Sequence, residues 1–213
     1  MTTIDTEQTA ARQVGRSLNR LEARAKVTGR AEYIHNLVLP RMLYGKICRS
    51  TVAHGRIVNI DVSAAQAMEG VHAVYTAQDV LRVIPEPYFG PAFHDQPILA
   101  LDKVRYVGEP VAVVLAADPH VAEEATHLIM VEYEELPAVF NEVEAASSDV
   151  LVHDVLKPAG TFPDLKHLAG RKGTNVALDF QLRRGDVEAA VASAAHVFED
   201  TFTTKQVMHT PLE

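Results

Sequence analysis

The side chains best suited to chemistry in this chain are scattered, and few stand at spacings that a reaction needs. His209 and Glu213 are four apart, which on a helix would put both on one face as a metal pair, but Pro211 between them opposes a helix there. A turn histidine beside a capping or interface carboxylate is the alternative reading. Cys48 is the only cysteine. It lies in a run that reads as a buried strand, with no positive neighbour set to lower its pKa, so it reads as a small core residue and not a nucleophile. The carboxylate pairs Glu123-Glu124 and Glu134-Glu135 mark solvated faces or strand ends. The sequence GRKG at Gly170 lacks the spacing of a phosphate loop, no GxGxxG opens a helix, and GxSxG is absent. The residues by themselves assign no catalytic, cofactor-binding or metal-binding side chain.

Composition narrows the classes that remain. With 213 residues and 47% hydrophobic content, the chain can bury a sizeable core. Lysine and arginine number 20 against 28 aspartates and glutamates, and the net charge of −8 offers no general attraction for a phosphate backbone, so nucleic acid is not an expected partner. A lone cysteine excludes an intramolecular disulfide and any cysteine cage for zinc or an iron–sulfur cluster, and it fits a reducing cytoplasm. No apolar run approaches the roughly 20 residues that span a bilayer. The opening MTTIDTEQTAARQ lacks the cationic start and apolar centre of a secretory signal. A cytoplasmic protein with no membrane partner is expected.

The elements that must position these side chains are clearest between Lys103 and Val139. Val111 to Ala116 is a valine-rich run expected of a strand buried on both faces. Asp118-Pro119 opens a helix, since the carboxylate can accept first-turn N–H groups and the proline loses only a donor that would be unpaired. Val121, Ala125, Leu128 and Ile129 follow at helical spacing, which predicts that Leu128 is buried between helix and sheet. Met130 to Glu134 returns as a strand. The stretch is a βαβ-type unit and argues for an α/β or α+β core.

Residues 1–13 carry no pattern and read as a mobile tail. Val14 to Asn36 is rich in arginine and lysine and reads as a solvated arm, with a turn at Thr28-Gly29. Met42 to Ala53 and Ile57 to Val62 read as strands, Ser63 to Met68 as a short helix stopped by Gly70, and Val71 to Thr76 as another strand. Val83 to Pro97 holds four prolines and reads as a loop. Asn141 to Ala146 can make one or two helical turns. Residues 147–174 are long and aperiodic and read as a linker. Beyond it, Asn175 to Gly185 reads as a strand, Asp186 to Ala195 as a helix and His196 to Met208 as a long strand. The helix carries alanine or valine on nearly every side, so it is expected to need cover from outside the segment.

Several blocks stand in a fixed order: RLEARAKVTGRAEYIHN at Arg20, then Pro40-Arg41-Met42-Leu43, Arg49-Ser50, Ala53-His54 and Ile57, and GVHAVYTAQDV at Gly70. KVRYVGEPVAVVLAADPHVAEEA at Lys103 and VEYEELPAV at Val131 complete them. Through these blocks the chain resembles, over nearly its whole ordered length, the opening of the large molybdenum-cofactor subunit of the xanthine dehydrogenase and aldehyde oxidase family. The resemblance implies an α+β fold: an α/β-hammerhead domain over residues 14–146, which carries no redox centre in that family. Residues 175–213, with RRGDVEAAVASAAHVFEDTFTTKQVMHTPLE from Arg183, are similar to the first strand, helix and strand of the molybdopterin-binding domain.

Members of that family hydroxylate a carbon beside a heteroatom or of an aldehyde. In them a glutamate serves as base toward a molybdenum-bound hydroxide. The resemblance places that glutamate and the glycine-rich pterin loops beyond position 213, so no catalytic, cofactor or metal residue is carried over. It implies that the molybdenum–molybdopterin cofactor is bound by the remainder of the pterin-binding subunit, with [2Fe-2S] and FAD on partner subunits or domains. Association with a second copy of the chain is the further partner expected. Purines, N-heterocycles, aldehydes and aromatic thioesters all remain open as substrates. The alternative from another class is a non-catalytic hammerhead module kept for assembly.

Overall fold

The computed structural model describes residues 17–90, 93–155, 170–205 and 207–208. The chain divides into two compact units, residues 1–40 with 200–213, and residues 41–199. The His209–Glu213 pair and the tail at 1–13 lie outside the described residues, as do residues 156–169 of the 147–174 linker.

In the first unit, helix α1 (Ala23–Val27) buries no residue, in keeping with a solvated arm. The turn expected at Thr28-Gly29 forms, with Gly29 at φ +68°, and Arg30 donates its N–H to the Ala25 carbonyl at 2.8 Å. Glycine reaches that left-handed geometry without a Cβ clash, which is why it closes helices.

The second unit is built on two three-stranded sheets. In one, β1 (Tyr44–Arg49), β7 (Pro110–Ala116) and β3 (Val71–Thr76) run antiparallel in the order β1-β7-β3. In the other, β6 (Lys103–Val104), β2 (Gly55–Asp61) and β8 (Met130–Glu135) are antiparallel in the order β6-β2-β8. A two-stranded hairpin of β4 (Tyr88–Phe89) and β5 (Gln96–Pro97) forms within the proline-rich stretch that reads as a loop. Helices α2 (Ser63–Ala67), α3 (Ala77–Val83), α4 (Pro119–Thr126) and α5 (Glu142–Ala145) complete the domain. The α+β class is as expected.

β7 is the hinge of the core. Its Ala112 and Val114 pack with Val74, with Ala65 of α2, with Ala125 of α4 and with Ile129. Val111, one residue earlier, faces the other way and packs with Ala100 and Val104 of the second sheet. Two apolar clusters therefore meet at one valine-rich strand, whose burial on both faces is what its sequence predicts.

Two expectations about the central unit are corrected. β7 and β8 do not lie in one sheet: β8 pairs with β2, and α4 packs over β1 and β7. The stretch is strand, helix and strand in sequence, but it carries the chain from one sheet to the other. Leu128 is not buried. The helix ends at Thr126, and Leu128 sits in the following turn, 39% exposed, whereas Ile129 is 7% exposed and reaches the core. The buried face of α4 is Ala122 and Ala125. The start of α4 is as read, since Asp118 Oδ1 accepts N–H bonds from His120 at 2.8 Å and Val121 at 3.3 Å.

Helix α3 follows β3 through a capping box in which Thr76 and Asp79 satisfy each other's backbone N–H groups. Among the described residues downstream of the linker only the helix forms, as α6 (Val187–Ser193), capped by Asp186. The flanking stretches expected as strands have no ladder among the described residues. A strand exists only by pairing, and none of the described residues supplies the neighbour.

Candidate functional site

The densest polar cluster lies around the turn that joins β6 to β7. Gly108 adopts φ +94°, and its N–H donates to the Ser50 carbonyl at 2.8 Å while its own carbonyl accepts from Arg49 Nη1 at 2.9 Å. Ser50 in turn donates its N–H to the Glu109 carbonyl at 2.9 Å. The YVGEP turn is thus stitched to the end of β1, and β7 leaves it in a fixed direction.

Glu109 is the centre of the cluster. It is buried, and its carboxylate accepts the Arg105 backbone N–H. The Arg105 guanidinium stands 3.6 Å from Glu109 and 3.5 Å from Asp102, and donates to the Lys103 carbonyl at 2.9 Å. Lys103 is itself buried and reaches Asp154 at 2.9 Å. Burial pushes the Glu109 carboxyl above its ordinary value of 4.5, against the opposing pull of Arg105. Burial likewise lowers His153, and the nearby Arg105 charge adds to that. Asp154 is held below its ordinary value by the Lys103 ammonium hydrogen-bonded to it.

These groups line a cleft of about 360 Å³, with Asp95, Arg105, Glu109 and His153 as its polar walls and Phe89 and Tyr106 among the apolar ones. A buried carboxyl near a histidine invites an acid–base reading. Among the described residues no serine, threonine, cysteine or lysine lines the cleft, and no group of three or more His, Cys, Asp or Glu side chains is placed to hold a metal ion. The charges pair with one another and close the turn, although Arg105 Nε is buried with no hydrogen-bond partner among the described residues. The sequence reading passed over Glu109, Arg105 and His153. The signal was the acid between a glycine and a proline, a place where a carboxylate can reach back to a turn N–H.

The sign of the Glu109 effect is testable. A carboxyl whose folded pKa is raised binds more protons in the folded state, so its contribution is most favourable below the ordinary carboxylate range and is lost as pH rises through the folded value. Glu109→Gln keeps an acceptor for the Arg105 N–H and removes the ionisation. The stability of the native chain relative to this variant is therefore expected to fall as pH rises from the ordinary carboxylate value through the higher folded one. A difference that grows in favour of the native chain over that range would refute the assignment.

Other residues singled out in the sequence behave as packing or surface groups. Cys48 is half-buried against the core of the first sheet, and burial raises its thiol pKa, the opposite of what a nucleophile needs. Glu123 pairs with Lys46 at 3.1 Å and Glu134 with Arg56 at 3.1 Å, both on the surface. GRKG at Gly170 forms a turn in which Arg171 donates its N–H to the Val176 carbonyl at 2.9 Å.

A pterin pyrophosphate finds no cradle among these residues. The Gly170 turn does not open a helix. The α6 N-terminus is occupied by the Asp186 carboxylate, which accepts the Ala189 N–H at 2.9 Å and sets a negative charge where a phosphate would have to bind. Asp118 and Asp79 do the same at α4 and α3.

Comparison with known proteins decides the family. The model described as "Aldehyde oxidase and xanthine dehydrogenase, a/b hammerhead domain" matches residues 28–137. The chain belongs to that family. The matched span runs from the end of α1 to the end of β8 and so contains both sheets.

The chain is 34% identical over 209 residues to the 6-hydroxypseudooxynicotine dehydrogenase complex subunit gamma of Paenarthrobacter nicotinovorans, covering 94% of this chain and 24% of that protein. It is 35% identical over 200 residues to the nicotinate dehydrogenase large molybdopterin subunit of Eubacterium barkeri, covering 94% of this chain and 42% of that one. The crystal structure of quinoline 2-oxidoreductase from Pseudomonas putida 86 superposes with a TM-score of 0.58 at 42% identity, over 66% of this chain and 18% of that one. The hammerhead fold expected from the sequence is thereby established, and the chain spans less than half the length of these relatives. Among the described residues no helix is long and apolar enough to cross a membrane.

Proposed function

We propose that this chain is the N-terminal structural portion of a molybdenum hydroxylase, an oxidoreductase that hydroxylates a heterocycle or aldehyde carbon with oxygen derived from water. In this reading residues 14–146 are the hammerhead domain, 147–174 a linker and 175–213 the start of the molybdopterin-binding domain. The remainder of that domain supplies the molybdenum cofactor and the base. Iron–sulfur and FAD subunits or domains take the electrons. The single half-buried cysteine fits assembly in the cytoplasm.

One observation carries the proposal: similarity to the large molybdopterin subunit of a nicotinate dehydrogenase runs through 94% of the chain. The chain has the family's scaffold, and the starts of α3, α4 and α6 are engaged by their own aspartates. The ion pairs of its polar cleft tie the β6–β7 turn together, which suits a structural role. Isolating the protein from its native source under conditions that preserve complexes is expected to bring molybdenum down in the same species. Recovery of the chain there with no molybdenum-bearing partner would favour the assembly-module reading and overturn this one.

A further inference from the structure

A flexible linker leaves its two ends free of one another. The stretch at 147–174 is not built that way. Residues 148–155 form no ladder, so their backbone groups must find partners elsewhere. Several of them find one distant side chain.

Asn175 is half-buried and uses its whole carboxamide. Its Oδ1 accepts the Val152 N–H at 2.8 Å, while its Nδ2 donates to the Val150 carbonyl at 2.8 Å and to the Ala145 carbonyl, at the end of α5, at 3.0 Å. Ala145 and Val150 lie 30 and 25 positions before it in the chain. Accepting from one residue and donating to the residue two earlier is how a parallel strand bonds its neighbour, so the amide stands in for a ladder partner. An aspartate could not do this, because a carboxylate has no hydrogen to donate.

Both sides of the contact are fixed in turn. On one side Asp154 reaches the buried Lys103 at 2.9 Å, and Val152 and His153 form part of the wall of the polar cleft. On the other, Arg171 donates its N–H to the Val176 carbonyl at 2.9 Å and pairs with Asp179 at 2.8 Å, which gathers residues 171–179 into one turn that contains Asn175.

We infer that Asn175 is a clasp: it joins the two ends of the 147–174 stretch, so that the chain leaves the hammerhead domain from a fixed point at residues 175–179, and through Val152 it positions His153 in the cleft wall. The stretch is then a closed loop and not a tether. The inference rests on contacts within this chain, so its failure would leave the proposed function standing, and the failure of that function would leave the clasp.

The test uses the full chain with Cys48→Ser and spin labels on Glu124→Cys and Ala177→Cys, both at exposed positions. With Asn175 in place, one narrow distance between the labels is expected. Asn175→Ala removes all three bonds, and Asn175→Asp turns a carboxylate toward two carbonyls. Each should broaden the distance. His153 gives a second readout, since burial, then the Arg105 and Lys103 charges, hold its pKa below the ordinary 6.5 against the pull of Asp95 and Asp154. Its titration, followed by NMR, should move upward in both variants, while the β7 amides keep their slow hydrogen exchange and show the domain folded. A broad distance in the chain that retains Asn175, or a narrow one in the variants, would overturn the inference. So would a broadened distance with His153 unmoved, since Asn175 would then not position the cleft wall. Loss of β7 protection would overturn it too, because Asn175 would then support the whole fold and not one contact.

Discussion

Ile129→Ala is expected to lower the stability of the domain by about 2–5 kcal/mol, whereas Leu128→Ala, one residue away, should cost well under half as much. Ile129 belongs to the buried cluster of Ala65, Val74, Ala112, Val114 and Ala125, with Val131 and Met68 packed at its margin. Truncating it would leave a hole where α2, α4 and the sheet meet. The neighbours are alanines and valines fixed on regular elements, so they cannot collapse into the space. Leu128 already exposes more than a third of its surface, so its truncation removes fewer contacts and opens no cavity. Urea midpoints for the two variants decide the point, and equal midpoints would mean that the turn after α4 is wrongly placed.

The second large effect concerns the stretch after the linker. Every described residue of α6 and its flanks from Asp179 to Lys205 is exposed, including Val187, Val191, Phe198 and Phe202. A helix of seven residues has little stability in water by itself, and one that is apolar on nearly all sides needs cover from elsewhere. On the proposed reading the remainder of the pterin domain provides that cover. In a demonstrated monomer of the isolated chain, backbone amides of α6 should exchange at close to the rate of unstructured peptide, while those of β7 resist. Strong protection of Val187 to Ser193 in such a monomer would show the segment already packed, and the interface reading would fail.

The parts of the fold that were legible in the sequence are those set by local chemistry. β-branched runs gave β1, β2, β3, β7 and β8 to within a few residues, and Asp118-Pro119 announced α4. α3 was equally announced by Thr76 and Asp79, three apart, but the reading gave residues 77–82 no element and began the proline-rich loop at Val83, the last residue of that helix. Leu128 was misplaced because the helical phase was extended two residues past Thr126, where the turn begins. The partner of β8 was not legible at all. Whether a strand joins the sheet of β7 or that of β2 depends on contacts far apart in sequence, and β8 has the same alternation in either place. In the polar cluster, Arg105 and Glu109 share one turn, but His153 comes from a distant stretch that only folding brings to them. The strand character of residues 175–185 and 196–208 is written in their alternation, yet a ladder needs a second strand.

The molybdenum content and turnover of the purified 213-residue chain test the central claim most directly. The claim is that this chain is scaffold and that the cofactor and base reside in the remainder of the subunit. Expressed alone in a host that makes the molybdenum cofactor, it should carry no stoichiometric molybdenum and should reduce no dye acceptor with an aldehyde, a purine or another N-heterocycle. Stoichiometric molybdenum in the purified chain, or turnover of any of these substrates, would contradict the account.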